Sequence, residues 1–437
     1  MQTPGPFLLD EQSKEGHKIQ HMEHADYVFW SMNSILTYTG IYMLQKLAGL
    51  KLEWVLLGLL ALPLCFGCKQ ETSSQSSETA AYLADYESPE DKSWGFLNKS
   101  GTIVIDPIFD DVNSFSEGLA AVNQKGKWGY IDHTGKLIIP AAFKSAWAFH
   151  EGKARVRPFD SPDCFIDRFG KILSSDQWSA AGDFSEGLAL VSVGNTFGYV
   201  DSTGRLAIPA VYSRGHHFHH GLAIIETDEK TAVINVKGEI IIPPIFDHIT
   251  MHDNEQIFIS RNDQLSTAFD LHGKELAKLE NSVMIDTDGN LISFMKADVA
   301  YFYDISVRKI KPTESFTNII YLGEQRWAGR QEAGYYLLDD EGKKMNDTIY
   351  SQINQFKDGL AVYGKDKSWG YLDRNGKELT GNEFLLAWDY KEGLARAAYE
   401  QGIAFIDEQQ KIAFYPPPGT LDMRDFSEGL APVLVAR

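Results

Sequence analysis

The densest gathering of potential metal ligands in this chain is Gly-His-His-Phe-His-His-Gly at 215–221, which carries His216, His217, His219 and His220. Imidazole is a good transition-metal ligand, and short His tracts can bind zinc or nickel. At strand spacing, however, alternate side chains leave opposite faces, which keeps such a tract from converging on one ion. The stretch Asp-Thr-Asp-Gly-Asn places Asp286, Asp288 and Asn290 at the alternation of a calcium loop, but the further ligands and distal glutamate are missing, so it reads as a turn. Cys164 reads as a small buried apolar side chain. The body of the chain holds no serine nucleophile elbow, His-Glu-x-x-His pair or phosphate-cradling Gly-Lys loop. The expected sets of catalytic residues, cofactor ligands and metal ligands are therefore empty, and ligand-binding residues stay unassigned.

A second carboxylate pattern is more regular. Asn98, Asp132, Asp167, Asp201, Asn235, Asp270, Asp304, Asp339, Asp373 and Asp407 follow one another at intervals of 34 or 35 residues. Ten equivalent acids have a structural cause before a catalytic one. Each lies between two short β-forming segments, where its side chain can accept a hydrogen bond from the backbone two residues on. Eight of the ten have glycine three residues later, suited to the left-handed position of a G1-bulge turn; Val307 and Gln410 replace it, and looser turns are expected there.

These acids must be positioned by a repeated element. In residues 118–140 the segments 120–122, 128–131 and 137–139 are rich in β-formers and separated by turn signals, which predicts a three-stranded antiparallel meander. Preceding it is an aromatic-Ser-Glu-Gly-Leu-Ala motif, found at 115–120, 184–189 and 426–431 with variants at 149, 218, 356 and 390. Its aromatic is expected to plug the core. The alignment puts Phe218 on that aromatic and His220 on the glutamate, which makes the His tract an ordinary loop. A Trp-Gly pair opens the aromatic strand at 94, 128 and 369, with Phe197 and Gly198 as a variant. Glycine inside a strand marks close approach of another group, expected here to be a neighbouring unit's indole.

These motifs resemble the WG-repeat family, in units covering 82–437. No such unit can bury its own apolar face, so each must lean on the next. The expected fold is all-β: about ten 34–35-residue three-stranded units in an open, curved solenoid-like array. Its alternative is a closed propeller-like toroid, favoured by the terminal Gly-Leu-Ala-Pro-Val-Leu-Val-Ala-Arg strand, which lacks its own Trp-Gly partner. Against closure, about 34 residues is short for a four-stranded blade.

The N-terminal region predicts the cellular address. Residues 54–68 form an apolar run too short to span a membrane but suited to a signal peptide, preceded by Lys46 and Lys51. Gly67 and Cys68 end it, and a polar Ser/Thr/Gln tether follows. This resembles a bacterial lipoprotein signal, which implies lipid attachment at Cys68, with Cys65 the rival acceptor. The resulting division is 1–42 an over-extended start or disordered leader, 43–67 signal peptide, 68–81 tether and 82–437 repeat array. The protein is expected to be exported and lipid-anchored at the bacterial cell envelope, on the outer membrane or cell surface.

With 41 basic against 60 acidic residues and a formal charge of −19, the chain lacks the cationic surface that nucleic-acid binding requires. Three cysteines exclude a disulfide framework. Two function classes remain. One is a non-enzymatic envelope scaffold binding a protein, peptide or glycan, with 231–336, where the signature fades, as the first place to look. The other is an enzyme acting on extracellular or cell-wall polysaccharide through carboxylates assembled across repeats.

Overall fold

The computed structural model describes residues 91–436 except 174–177, 253–255, 263–264 and 382; Cys65, Cys68, the leader, the signal segment and the tether lie outside the described residues. The described chain is all-β, built of antiparallel strands in nine sheets. Nine sheets serve ten repeat units because the long strand Leu137–His150 is the last strand of the second unit and the first of the third, giving one sheet of six strands.

Most units are four-stranded where three strands were expected. The additional strand is the short segment leading into the aromatic-Ser-Glu-Gly motif, such as Asp111–Val112 or Arg214–Gly215. Two residues cannot show a period, so the sequence pattern did not reveal it.

The expected open array is also corrected: the array closes. Strand Leu430–Ala436 pairs with Lys92–Asn98 over seven residues, from Lys92 opposite Ala436 to Asn98 opposite Leu430. Together with Thr420–Met423 and Ile103–Phe109 they form a single four-stranded sheet from both ends of the repeat region. The terminal strand thus finds its Trp-Gly partner in the first unit, which abolishes two free edges at once. In four units the short repeat length is accommodated by first strands of two residues.

The core is divided between neighbours. Tyr130, Ile139 and Ala121 of the second unit pack against Phe149, Val156 and Ile166 of the third, and similar clusters recur around the ring. The motif aromatics are plugs as expected, with Phe115, Phe149, Phe184, Phe218, Phe356, Tyr390 and Phe426 all buried. Six inter-unit contacts centre on a ring pair. Phe96 meets Phe115, Tyr130 meets Phe149, Phe165 meets Phe184, Tyr199 meets Phe218, Tyr371 meets Tyr390 and Phe405 meets Phe426, at 4.8–5.1 Å between centroids. These tilted and edge-on geometries add to the burial of the aromatic surfaces.

The Trp-Gly glycine is tightly covered, but not by an indole. A methyl on Gly129 would lie 2.6 Å from the Ile139 carbonyl oxygen and 2.7 Å from the Ala141 nitrogen, and Gly95 and Gly198 are covered likewise by their own following strands. Trp128 lies opposite Phe143 while Tyr130 lies opposite Ile139, so the last strand carries two extra residues at Pro140 and Ala141 and folds over the glycine. Proline fits because a bulge on an outer strand needs no ladder donor there.

The recurrent acids hold the hairpin turns as predicted. Asp132 Oδ1 accepts from the amides of Thr134 at 2.9 Å and Lys136 at 3.1 Å, and the other units repeat the pattern. Of the two turns without glycine, only one changes. Gln410 adopts φ 60° and keeps the Asp407 bonds to Gln409 and Lys411, whereas at Asp304 the bonds go to Ser306 and Val307 and the left-handed residue moves to Arg308.

Candidate interaction surface

The turn at each aromatic-Ser-Glu-Gly motif joins the first two strands of a unit. Its two central residues both have positive φ, 52° at Glu117 and 81° at Gly118, the requirement of a type I′ hairpin. Left-handed backbone is costly for a non-glycine residue. Here it aims the carboxylate at the next unit. Glu117 accepts from the Gly152 amide at 2.8 Å, Glu151 from Glu186 at 2.6 Å and Gly187 at 2.8 Å, and Glu186 from Gly221 at 2.7 Å. Farther round, Glu324 accepts from Gly359, Glu392 from Glu428 and Gly429, and Glu428 from Gly118. The motif serine adds a second strand of the same belt, with the Ser116, Ser185 and Ser427 hydroxyls donating to the carbonyls of Phe149, Phe218 and Phe115, each at 2.7 Å.

This belt is architecture, and a binding site must depart from it. Two residues before each plug aromatic lies a position whose side chain varies. Across the closing seam it reads Trp388, Arg424, Asn113, Trp147 in four consecutive units. Both tryptophans are half-buried, and their backbone carbonyls are fixed by Tyr371 and Tyr130 hydroxyls of the preceding units, at 2.8 Å each. An arginine on the adjacent strand covers each indole: Arg155 lies 3.7 Å from the Trp147 ring centroid and Arg396 lies 4.8 Å from that of Trp388. Arg424, between them, lies 4.2 Å from the Trp94 ring centroid.

Each guanidinium is held by acids. Arg396 Nε donates to Asp425 at 2.8 Å and its terminal nitrogen to the Met423 carbonyl at 2.7 Å, both in the next unit. Arg424 donates to the Val112 carbonyl and to Asp111. Around Arg155 the arrangement reflects a lost signature: Asp163 stands where other units have tryptophan, is fully buried, and pairs with Arg157 at 2.6 Å and Arg155 at 3.6 Å. Burial presses the Arg155 pKa down against the pull of Asp163 and Asp183. Cys164 beside it is buried as expected, with its thiol pushed up to about 11 by desolvation. The seam therefore carries two Trp–Arg pairs, Trp147 within a strand and Trp388 just beyond one, with the side chains of Arg155 and Arg396 largely buried and an arginine and an asparagine between the pairs.

The sequence candidates fall elsewhere. Phe218 is buried, His220 occupies the glutamate turn position at φ 51°, and the His217 and His219 rings meet at 4.5 Å. Among the described residues no group of three or more His, Cys, Asp or Glu side chains converges as a metal site. Asp286 belongs to the divergent part of the belt: its Oδ2 accepts from the Tyr321 amide at 3.0 Å and its Oδ1 lies 3.0 Å from His252 Nδ1. Sequence reading missed the seam because Trp388 and Trp147 look like isolated aromatics until the ring closes; their shared offset from the plug aromatic was the available signal.

Comparison with curated protein sequences finds no match. Among solved structures, a eukaryotic initiation factor is similar at 9% identity over 75% of this chain and 96% of that one, with a TM-score of 0.43. BamB from Moraxella catarrhalis gives 14% identity over 57% and 89%, TM-score 0.28, and the computationally designed Ika8 protein 15% over 61% and 93%, TM-score 0.31. Likeness at this level carries no functional argument. The family model described as WG containing repeat matches residues 94–128, 128–157, 165–196, 197–230 and 233–255. The repeats within residues 94–255 thus match the WG-containing repeat family.

Proposed function

We propose that the protein is an interaction scaffold of the bacterial envelope, tethered through lipid on Cys68, that binds a protein or peptide across the seam. The observation supporting this reading is the repeated Trp–Arg pair, Trp388 with Arg396 and Trp147 with Arg155, each tryptophan carbonyl held by a tyrosine of the preceding unit. Tryptophan and arginine dominate binding hot spots because they combine large contact area with directed hydrogen bonding. Rigid presentation lowers the ordering cost of association.

The test is cross-linking of the intact protein in the envelope, followed by affinity measurement with the captured partner. Trp147→Ala and Trp388→Ala should each weaken binding by about 2 kcal/mol, roughly thirtyfold, as hot-spot truncations do. Binding untouched by the double substitution would remove the seam from the proposal, and capture of glycan alone would replace the partner class. For the tether, Cys68→Ala should abolish labelling by a palmitate analogue; labelling that persists would move attachment to Cys65.

A further inference from the structure

The divergent sixth and seventh units contain an arrangement found nowhere else among the described residues. His252 is the last residue of strand His248–His252, and Thr250 lies two residues before it. The Thr250 hydroxyl oxygen is 2.8 Å from His252 Nε2, and His252 Nδ1 is 3.0 Å from Asp286 Oδ1. Asp286 is itself oriented by two amides, Thr287 on Oδ1 and Tyr321 on Oδ2, each at 3.0 Å. A carboxylate held this way accepts from Nδ1–H, which leaves the Nε2 lone pair facing the hydroxyl. The hydroxyl's other acceptor, the Ile259 carbonyl, is distant at 3.5 Å. Exposure is graded in the useful direction: Thr250 is exposed, while the His252 and Asp286 side chains retain only 21% and 23% of their surface.

Hydroxyl, imidazole and carboxylate in this order form the nucleophile, base and orienting group of acyl transfer, recognised by geometry rather than by sequence position. We infer that Thr250, His252 and Asp286 form a hydrolytic site for a carboxylic ester, in a sector separate from the seam. Thr250 Oγ1 bonds to the ester carbonyl carbon as its proton passes to His252 Nε2. The carbon–oxygen bond to the alcohol then breaks, and the alcohol leaves with that proton. Water adds to the acyl-threonine, its proton passing to Nε2, and the carboxylic acid departs as Thr250 recovers its hydrogen. Asp286 acts as a positioning residue that holds the imidazole tautomer.

The experiment uses the full chain with a fluorophosphonate probe and p-nitrophenyl acetate. Wild type should be labelled at Thr250, located by peptide mass spectrometry, and should hydrolyse the ester. Thr250→Ala should lose the label, Thr250→Ser should keep it, and His252→Gln should slow hydrolysis by at least about a hundredfold, the usual reach of a general base. For Asp286→Asn, the imidazole nitrogen shifts should report loss of the Nδ1–H tautomer, a change that a packing role would not produce. An unlabelled wild type, a label on another residue, or an unchanged tautomer in Asp286→Asn would overturn the assignment. Because the wild-type label is decisive alone, a variant that fails to fold does not shelter the idea.

Discussion

Glu428 accepts a 2.9 Å hydrogen bond from the amide of Gly118, a residue 310 positions away in the chain. Beside it the Ser427 hydroxyl donates to the Phe115 carbonyl at 2.7 Å. The side-chain belt therefore crosses the seam in the same form as it crosses ordinary unit boundaries. Glu428→Ala should cost about 1 kcal/mol, below the roughly 1.5–3 kcal/mol of a buried bond to a charged group because the carboxylate is partly exposed. Urea denaturation should show a lower midpoint with an unchanged slope.

Acid should loosen the same region. Burial opposes ionisation of Glu392, but the Gly429 and Glu428 amides and Lys99 outweigh it and hold the carboxyl below its usual range. A depressed folded pKa gives stability that is complete above the unfolded value, about 4.3, and is lost as pH falls through the folded one. Glu392→Gln should therefore flatten the decline in stability below about pH 4.5, seen in melts across that range.

One link of the belt is short. Asp358 has the left-handed φ of 53° that its glutamate counterparts have, yet it accepts no bond from Gly393, while Glu324 in the preceding unit accepts from Gly359 at 3.0 Å. Asp358→Glu adds the missing methylene. A gain of roughly 0.5–1 kcal/mol is expected, the net worth of one hydrogen bond, and a thermal midpoint no higher than wild type would refute the reach argument.

The covered glycine should be intolerant. Gly129→Ala forces a methyl against the backbone of Ile139 and Ala141. Overpacking of this kind costs about 1–3 kcal/mol. Ala232 occupies the corresponding position in the fifth unit, against a bulge with two prolines, Pro243 and Pro244. Adding Ala141→Pro should therefore recover part of the loss, measured as coupling in a double-mutant cycle.

Alkali should unfold the ring through its tyrosines. Burial pushes the phenols of Tyr130, Tyr199, Tyr371 and Tyr390 far above their ordinary value, and Tyr130, Tyr199 and Tyr371 donate to the carbonyls of Trp147, His216 and Trp388. A raised folded pKa keeps its stability below the unfolded value, about 10, and loses it as pH rises beyond. Stability should fall steeply above that point, with tyrosinate absorbance appearing together with loss of sheet signal. Gradual ionisation at full β content would contradict the packing of these rings.

The turn acids, the plugs and the stacking of dependent units were legible because each recurs with the same offsets, and repetition exposes a demand even when one copy is ambiguous. Asp132 and Phe115 are examples. The first strands were not, since a pair such as Asp111 and Val112 has no period. The glutamates were visible as a motif but silent about their partner, because a carboxylate one repeat away is not a sequence neighbour. In the eighth unit the motif itself dissolves, yet Glu324 keeps the belt. Closure was hinted at by the terminal strand but outweighed by repeat length, a prior drawn from blades with longer first strands. Thr250, His252 and Asp286 were hidden because the unit repeat brings position 252 beside 286 only once the units stack.

The seven-residue pairing of Leu430–Ala436 with Lys92–Asn98 also sets a schedule. Interior units can zip onto their neighbours as they are synthesised, but the first sheet stays half-built until residues 430–436 arrive. Joining ends so distant carries a loop-closure penalty that grows slowly with length, and it is met only after the intervening units have shortened the gap. Maturation should thus end in one late, all-or-none latching event, and a chain released even a few residues early would leave an unguarded edge ready to seek a second molecule.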